Sequence, residues 1–361
     1  MKIALLNLPL DNNYGGNLQR YALMTVLNNM GHDVTHINLR IMFKLPWYKK
    51  PYSYSKRILN RYILRKSNII IFKEQHDKEQ YEIKTTKTRE FYNKYIKHTE
   101  ICYSINDIIK QTNGRFDAFI VGSDQVWRRE MTGQIGLKNY FLDFVGDNVK
   151  KIAYAVSFGV GDNIHSKQEI NTLSTLYNRF QAVSVREDLA LQSFDNYIWR
   201  QPKAELTLDP TLLLGKENYD LLISKTTVSN LTSGKMFCYV LDPSSFSKQI
   251  IIQYSKSFNL EYEEMGLNGS ENISIEQWLN NIRQSKIVIT DSFHGVVFSI
   301  IYNRPFLFLG NQLRGNARVE SLFRTLGINQ SEGLVNPSNI DKAKFKEMQT
   351  KSMTFLLMNL R

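Results

Sequence analysis

The sequence predicts an α/β protein made of two unequal halves that face a cleft. Residues 2–39 read as strand, helix and strand. Strand and helix patterns alternate again from Asp117 to Leu208, and a second series starts near Lys216. Alternation of this kind builds parallel sheets with helical crossovers. A chain of 361 residues with 42% hydrophobic content can fill two such cores.

The elements follow in order. Lys2 to Leu8 is an apolar strand, and Asp11-Asn12-Asn13-Tyr14-Gly15-Gly16-Asn17 has turn composition. Leu18, Ala22, Val26 and Met30 then recur every four residues on one helical face, which Gly31 ends. Val34 to Leu39 is the next strand, and a polar, helix-prone insertion spans 40–103. Further strands are expected at Asp117–Val121, Lys151–Phe158, Ala182–Val185 and Glu205–Leu208, with helices at Lys167–Arg179 and from Glu187. In the second half, strands at Lys235–Leu241 and Leu260–Met265 alternate with helices at Phe246–Phe258 and Ser274–Gln284. Ile287-Val288-Ile289 is a strand that runs through Thr290-Asp291 into a helix opening at Ser292-Phe293-His294-Gly295. Pro305–Leu309 is a strand, Arg318–Leu326 a helix, and a last helix begins near Ile340. The chain thus divides into 1–215, 216–340 and a C-terminal helix, 341–361, expected to pack back on the first half.

Charge is unevenly placed. The net charge is +12, yet Arg40 to Lys73 holds ten basic residues and no acidic one, which leaves 36 basic against 34 acidic elsewhere. Lys49, Lys50, Arg57 and Arg61 are interleaved there with Trp47, Tyr48, Tyr52, Tyr54 and Tyr62. That mixture suits the headgroup region of an anionic membrane. It also suits nucleic acid, or a solvated insertion with no ligand. No apolar run reaches the length of a membrane span. The N-terminus has strand composition and lacks a small-residue cleavage site, so a cytoplasmic location, peripheral on the inner membrane face, is expected. Cys102 and Cys238 show no metal spacing and imply no disulfide framework.

Several residues stand at expected strand ends, where open α/β sheets bind ligands. His294 lies at a helix start behind a buried strand. Thr, Asp and Ser are helix-capping types, and free N-terminal amides attract anions. The helix dipole lowers the pKa of such an imidazole, and a bound phosphate raises it, which suits acid–base work. A lone histidine is otherwise a core residue. Arg314, Asn316 and Arg318 follow the next strand, and guanidinium suits carboxylate and phosphate. The plain structural alternative is a pair with Glu320. Arg186 sits where a strand becomes a helix, beside Glu187 and Asp188 as competing partners. Gly15, Gly16, Asn17 and Gln19 form a small glycine loop without a dinucleotide or phosphate-loop fingerprint. Asp124, Gln125 and Trp127 end another strand, with Trp127 either stacking on a sugar face or lying in the core. The sequence offers no metal-ligand cluster and no nucleophile elbow.

Taken in order, Y-G-G-N-L-Q-R, I-V-G-S-D-Q-V-W, A-Y-A-V-S-F-G, S-V-R-E-D, L-D-P-T-L-L-L, T-D-S-F-H-G and N-R-P-F resemble the polysaccharide pyruvyl transferase family from about residue 1 to 327. The resemblance implies two Rossmann-like domains facing a cleft, GT-B-like, with the acceptor on the first and the donor on the second. It implies transfer of a pyruvyl group from phosphoenolpyruvate, a co-substrate, to two hydroxyls of a cell-surface sugar or its lipid-linked precursor. A cyclic ketal forms, phosphate leaves, and no metal or nucleotide cofactor is needed. His294 matches the family's histidine and Arg186 its first-domain donor arginine, with a later basic residue at Arg314 or Arg318. Ser292, Gly295 and Asn316 complete the expected donor site. Gly15, Gly16, Asn17, Gln19, Asp124, Gln125 and Trp127 form the expected acceptor site. One departure stands out. Many relatives carry arginine two residues before the histidine, where this chain has Ser292, so another arginine supplies that charge or the donor sits differently.

Two other functions fit the same elements. A GT-B glycosyltransferase would use a nucleotide sugar, and a non-catalytic protein of this fold would bind glycan or anion without releasing phosphate. Nucleic acid is not an expected partner, and no motif encodes an oligomeric state.

Overall fold

Apolar residues alternate between the faces of each strand, and that alternation sets the layers. In the first sheet Ile3, Leu5, Ile120, Ile152 and Tyr154 enter one core, while Ala4, Leu6, Phe119, Val121 and Ala153 enter another on the opposite face. The computed structural model describes residues 1–159, 166–197, 199, 201–265, 273–310, 316–329 and 333–361. The first sheet holds β1 (Lys2–Leu6), β2 (Asp33–His36), β3 (Ala118–Asp124), β4 (Lys150–Val156), β5 (Ala182–Val185) and β6 (Glu205–Leu206). All are parallel, in the order β2-β1-β3-β4-β5-β6.

The second sheet holds β7 (Met236–Tyr239), β8 (Tyr262–Met265), β9 (Ile287–Thr290), β10 (Phe306–Phe308) and β11 (Leu334–Val335), in the order β11-β10-β9-β7-β8. It is parallel except at β10–β11. Two residues of β11 are too few to show an alternation, so this edge strand leaves no sequence signal. Val288, Phe237 and Tyr239 face the core shared with the first half, and Ile287, Ile289, Met236 and Cys238 face an outer one. The fold is therefore α/β, with two Rossmann-like sheets facing a cleft in GT-B-like fashion.

The last helix, Lys342–Asn359, returns to the first sheet. Its Ser352 Oγ accepts from Leu208 N at 2.9 Å, Gln349 Nε2 donates to Leu212 O at 2.7 Å, and Phe355 packs on Tyr154. The insertion forms helices Lys50–Ile58, Lys73–Lys84 and Thr86–Tyr95. Tyr81 of this insertion donates its hydroxyl to Leu10 O, tying it to the loop that leads into the cleft.

Candidate active site

The carboxyl ends of the strands converge, as they do in open α/β sheets. β3 ends at Asp124, β5 leads into Arg186, β6 leads to Asp209, and β9 leads through Asp291 to His294. Two helix N-termini open on the same cleft. Asn13 Oδ1 caps helix Tyr14–Asn29 by accepting from Gly16 N at 3.0 Å. Ser292 Oγ caps helix Phe293–Ile301 by accepting from Gly295 N at 3.4 Å. The cleft has a volume of about 210 Å³, with Asn13, Asp124, Ser292, His294 and Arg318 in its wall.

His294 is buried between the two halves. A Cβ on Gly15 would lie 1.9 Å from His294 Nδ1, so the imidazole of the second half rests on the bare backbone of the first. Gly295 serves a similar purpose, because a Cβ there would lie 2.3 Å from Thr290 Oγ1. On its other side, His294 Nε2 stands 3.8 Å from Asp209 Oδ2, and among the described residues it has no hydrogen-bond partner. Burial pushes the imidazole pKa down to about 4, with Asp209 acting in the opposite sense. The ring is neutral at neutral pH.

Beneath it runs a chain of paired charges. Arg186 Nη1 donates to Asp209 Oδ2 at 2.9 Å and Nη2 to Asp124 Oδ1 at 3.1 Å, with Glu187 Oε2 3.8 Å from Nε. Arg318 Nη1 reaches across from the second half to within 3.7 Å of Asp124 Oδ1. Both guanidiniums pack on the Phe293 ring, at 4.9 and 5.8 Å from its centroid. Burial acts to raise the Asp124 and Asp209 carboxyls, and the facing cations outweigh it, holding both below the usual range. Burial and the neighbouring Arg186 lower the Arg318 pKa to about 10. Ser123 and Asp124 adopt φ values of 45° and 69°, a region side chains rarely occupy, and so store strain where β3 meets the site.

This geometry corrects several expectations. Arg186 has a side chain only 1% exposed and spends both terminal nitrogens on Asp209 and Asp124, so it organises these two carboxylates, while its buried Nε has no hydrogen-bond partner among the described residues. Trp127 is completely buried, stacks on Phe141 at 4.4 Å and donates Nε1 to Tyr140 O, which removes it as a sugar platform. Asn17, Gln19 and Gln125 also turn inward. Asn17 Nδ2 donates to Asn13 O at 3.0 Å, Gln19 Nε2 donates to Ser123 Oγ and Asp209 Oδ2, and Gln125 Oε1 accepts from Arg128. Asp11, Asn12 and Asn13 stand on the cleft wall in their place.

The remaining expected residues are placed as follows. Gly16 supplies the capped amide, and Asn316 opens helix Ala317–Leu326, its carbonyl accepting from Val319 N at 2.9 Å. Asp188 pairs with Arg324 and not with Arg186. Arg314 lies outside the described residues. Among the cations of the insertion, Arg57 is held by Glu74 at 2.6 Å, while Lys49, Lys50 and Arg61 are exposed. Nothing in the sequence marks Asp209 as a site residue. In L-D-P-T it looks like a plain turn, although capping of Thr211 N by its Oδ1 at 3.1 Å is a local signal.

The model of the family described as polysaccharide pyruvyl transferase matches residues 13–312. The chain belongs to this family. Membership in the polysaccharide pyruvyl transferase family makes the protein a transferase of polysaccharide biosynthesis. A search of the curated proteins returns no match. Among solved structures, a UDP-N-acetylglucosamine 2-epimerase of Listeria monocytogenes is similar at 12% identity and a TM-score of 0.49, over 99% of this chain and 90% of that one. The UDP-GlcNAc 2-epimerase of Neisseria meningitidis is similar at 9% identity and a TM-score of 0.46, over 99% and 100%.

Proposed function

We propose that the protein transfers a pyruvyl group from phosphoenolpyruvate to two hydroxyls of one sugar in a cell-surface polysaccharide or its lipid-linked precursor. A cyclic ketal forms and phosphate is released. One observation carries this reading beyond family membership. His294 Nε2 and Arg318 Nε are buried beside one cleft, and among the described residues neither has a hydrogen-bond partner. Other buried polar atoms of the chain are unpaired too, but these two gather at one cleft, with Arg186 Nε and Glu187 Oε2 in the charge chain beneath it, and fit a site that a ligand completes.

The chemistry follows from the charges. The site carries two guanidiniums, Arg186 and Arg318, against Asp124, Asp209 and Glu187, so an anionic donor meets no strong positive field. The helix amides behind Ser292 and a proton taken up by His294 offset the donor's charge. Protonated His294 then delivers that proton to the methylene carbon of the enol, converting it to a methyl group. The first sugar hydroxyl bonds to the neighbouring carbon and returns its proton to the imidazole. The carbon–oxygen bond to phosphate breaks, the second hydroxyl closes the ring, and its proton leaves with phosphate. Acid–base help of this kind contributes roughly 10²–10⁴-fold. Asp11, Asn12, Asn13 and Asp124 offer hydrogen-bonding groups to the acceptor hydroxyls.

The test is acceptor-dependent phosphate release from phosphoenolpyruvate across a panel of galactosides and N-acetylhexosaminides. The expected product carries a new ketal methyl resonance. Thermal stabilisation by nucleoside diphosphates but not by phosphoenolpyruvate, without such a product, would overturn the reading.

A further inference from the structure

The segment from Trp47 to Ile63 forms one continuous helical arm, a 3₁₀ turn leading into helix Lys50–Ile58 and then a wider turn over Leu59–Ile63. None of its residues is buried. Its two faces are reversed relative to an ordinary surface helix. The face turned toward the protein carries Ser53, Tyr54, Arg57 and Asn60, all half-buried. Tyr54 packs edge-on against Phe72, and Arg57 is clasped by Glu74 and donates to Ile71 O at 3.0 Å. The face turned to solvent carries Tyr48, Tyr52, Leu59 and Ile63, spaced four, seven and four apart, with Trp47 and Tyr62 beside them.

These are large exposures for aromatic and aliphatic side chains: 82% for Trp47, 72% for Tyr52 and 69% for Ile63. Hydrophobic surface of this extent on a soluble face marks a site of interaction. Cations border it. Lys49 sits 5.8 Å over Tyr48, and Lys56 sits 5.9 Å over Tyr52. Between Arg40 and Lys73 no acidic residue dilutes them. A protein partner would meet an apolar patch with a charged rim. Here aromatic rings and cations alternate along the whole arm, which matches the layered chemistry of a lipid headgroup region.

We infer that the Trp47–Ile63 arm docks on an anionic lipid bilayer, Trp47, Tyr52 and Ile63 entering the headgroup boundary while Lys49, Lys50, Lys56 and Arg61 meet lipid phosphate. Arg57 belongs to the base of the arm and holds it to the Lys73–Lys84 helix. The same helix bears Tyr81, bonded to Leu10 O, so one helix joins the arm to the loop that leads into the cleft.

Tryptophan fluorescence of the full chain tests this directly. The other three tryptophans, Trp127, Trp199 and Trp278, are buried, so quenching by brominated acyl chains reports Trp47. Vesicles of phosphatidylglycerol in phosphatidylcholine are expected to bind the protein, quench it and release it as salt rises. Pure phosphatidylcholine vesicles are not expected to bind it. Replacing Lys49, Lys50 and Lys56 together by glutamine should weaken partitioning by roughly 100-fold. The pair Trp47→Ala and Tyr52→Ala should weaken binding at unchanged charge. Absence of quenching with anionic vesicles, or tighter binding to duplex DNA than to the vesicles, overturns the inference. This readout needs no turnover, so it stands or falls apart from the proposed reaction.

Discussion

His294 Nε2 and Asp209 Oδ2 stand 3.8 Å apart, too far for a hydrogen bond and close enough for strong electrostatic coupling. One half of the chain supplies the imidazole, the other the carboxylate that faces it. Replacing His294 by glutamine, which keeps volume and polarity, is expected to lower kcat/KM by about 10²–10⁴-fold. Circular dichroism should be unchanged. Near-normal ketal formation would remove His294 from the chemistry.

The depressed pKa of His294 also has a signature in stability. Its folded value of about 4 lies below the unfolded value of 6.5. The unfolded chain therefore binds a proton first as pH falls. The resulting stability is fully present above about pH 6.5, is lost as pH falls toward 4, and changes no further below that. The full loss is on the order of 3 kcal/mol. His36, buried and lowered in the same sense, adds to the loss in that window. Urea melts of wild type and His294→Gln at several pH values isolate the His294 part as a difference.

Donor binding should take up a proton. A phosphate dianion beside a neutral imidazole raises its pKa, so affinity for phosphoenolpyruvate should increase as pH is lowered from 8 to 6. Calorimetry in buffers of different ionisation enthalpy measures the proton count directly. A count of zero would mean that the proton comes from elsewhere.

Arg186 and Arg318 should separate by phenotype. Arg186→Gln removes the nearest cation from two buried carboxylates, leaving Asp124 only the longer pair with Arg318, and is expected to cost about 3–5 kcal/mol of stability in denaturant melts. Arg318→Gln, with one longer ion pair, should fold nearly normally and raise the donor KM by about 10–100-fold.

Gly15→Ala places a methyl group on the His294 ring. The overlap is with a ring and not with a flexible tail, so the imidazole must shift. Activity should fall almost as far as in His294→Gln, while stability changes by about 1–3 kcal/mol. Unchanged activity would show that the ring position is not critical.

What could be read from the sequence was local. The apolar runs and capping residues around β9 place His294 at a strand end because each signal lies within a few residues of it. Pairing is not local. In S-V-R-E-D the visible partners of Arg186 are its neighbours Glu187 and Asp188, and only folding brings Asp124, 62 positions away, against it. Trp127 has the same character. Q-V-W at the end of a strand reads alike whether the ring faces solvent or, as here, meets Phe141, Tyr177 and Trp199 from later segments. The helical arm was legible as charge and aromaticity, while its reversed faces depended on where Phe72 and Glu74 fall.

The seating of the His294 ring on Gly15 ties the hydration of the imidazole to the closeness of the two halves. Parting the halves to admit a polymer end would lift the imidazole off its backbone seat, wet it and restore its basicity. Clamping shut again would dry it and lower its hold on a proton. Any separation of the halves would thus change the hydration of the ring and its proton affinity together.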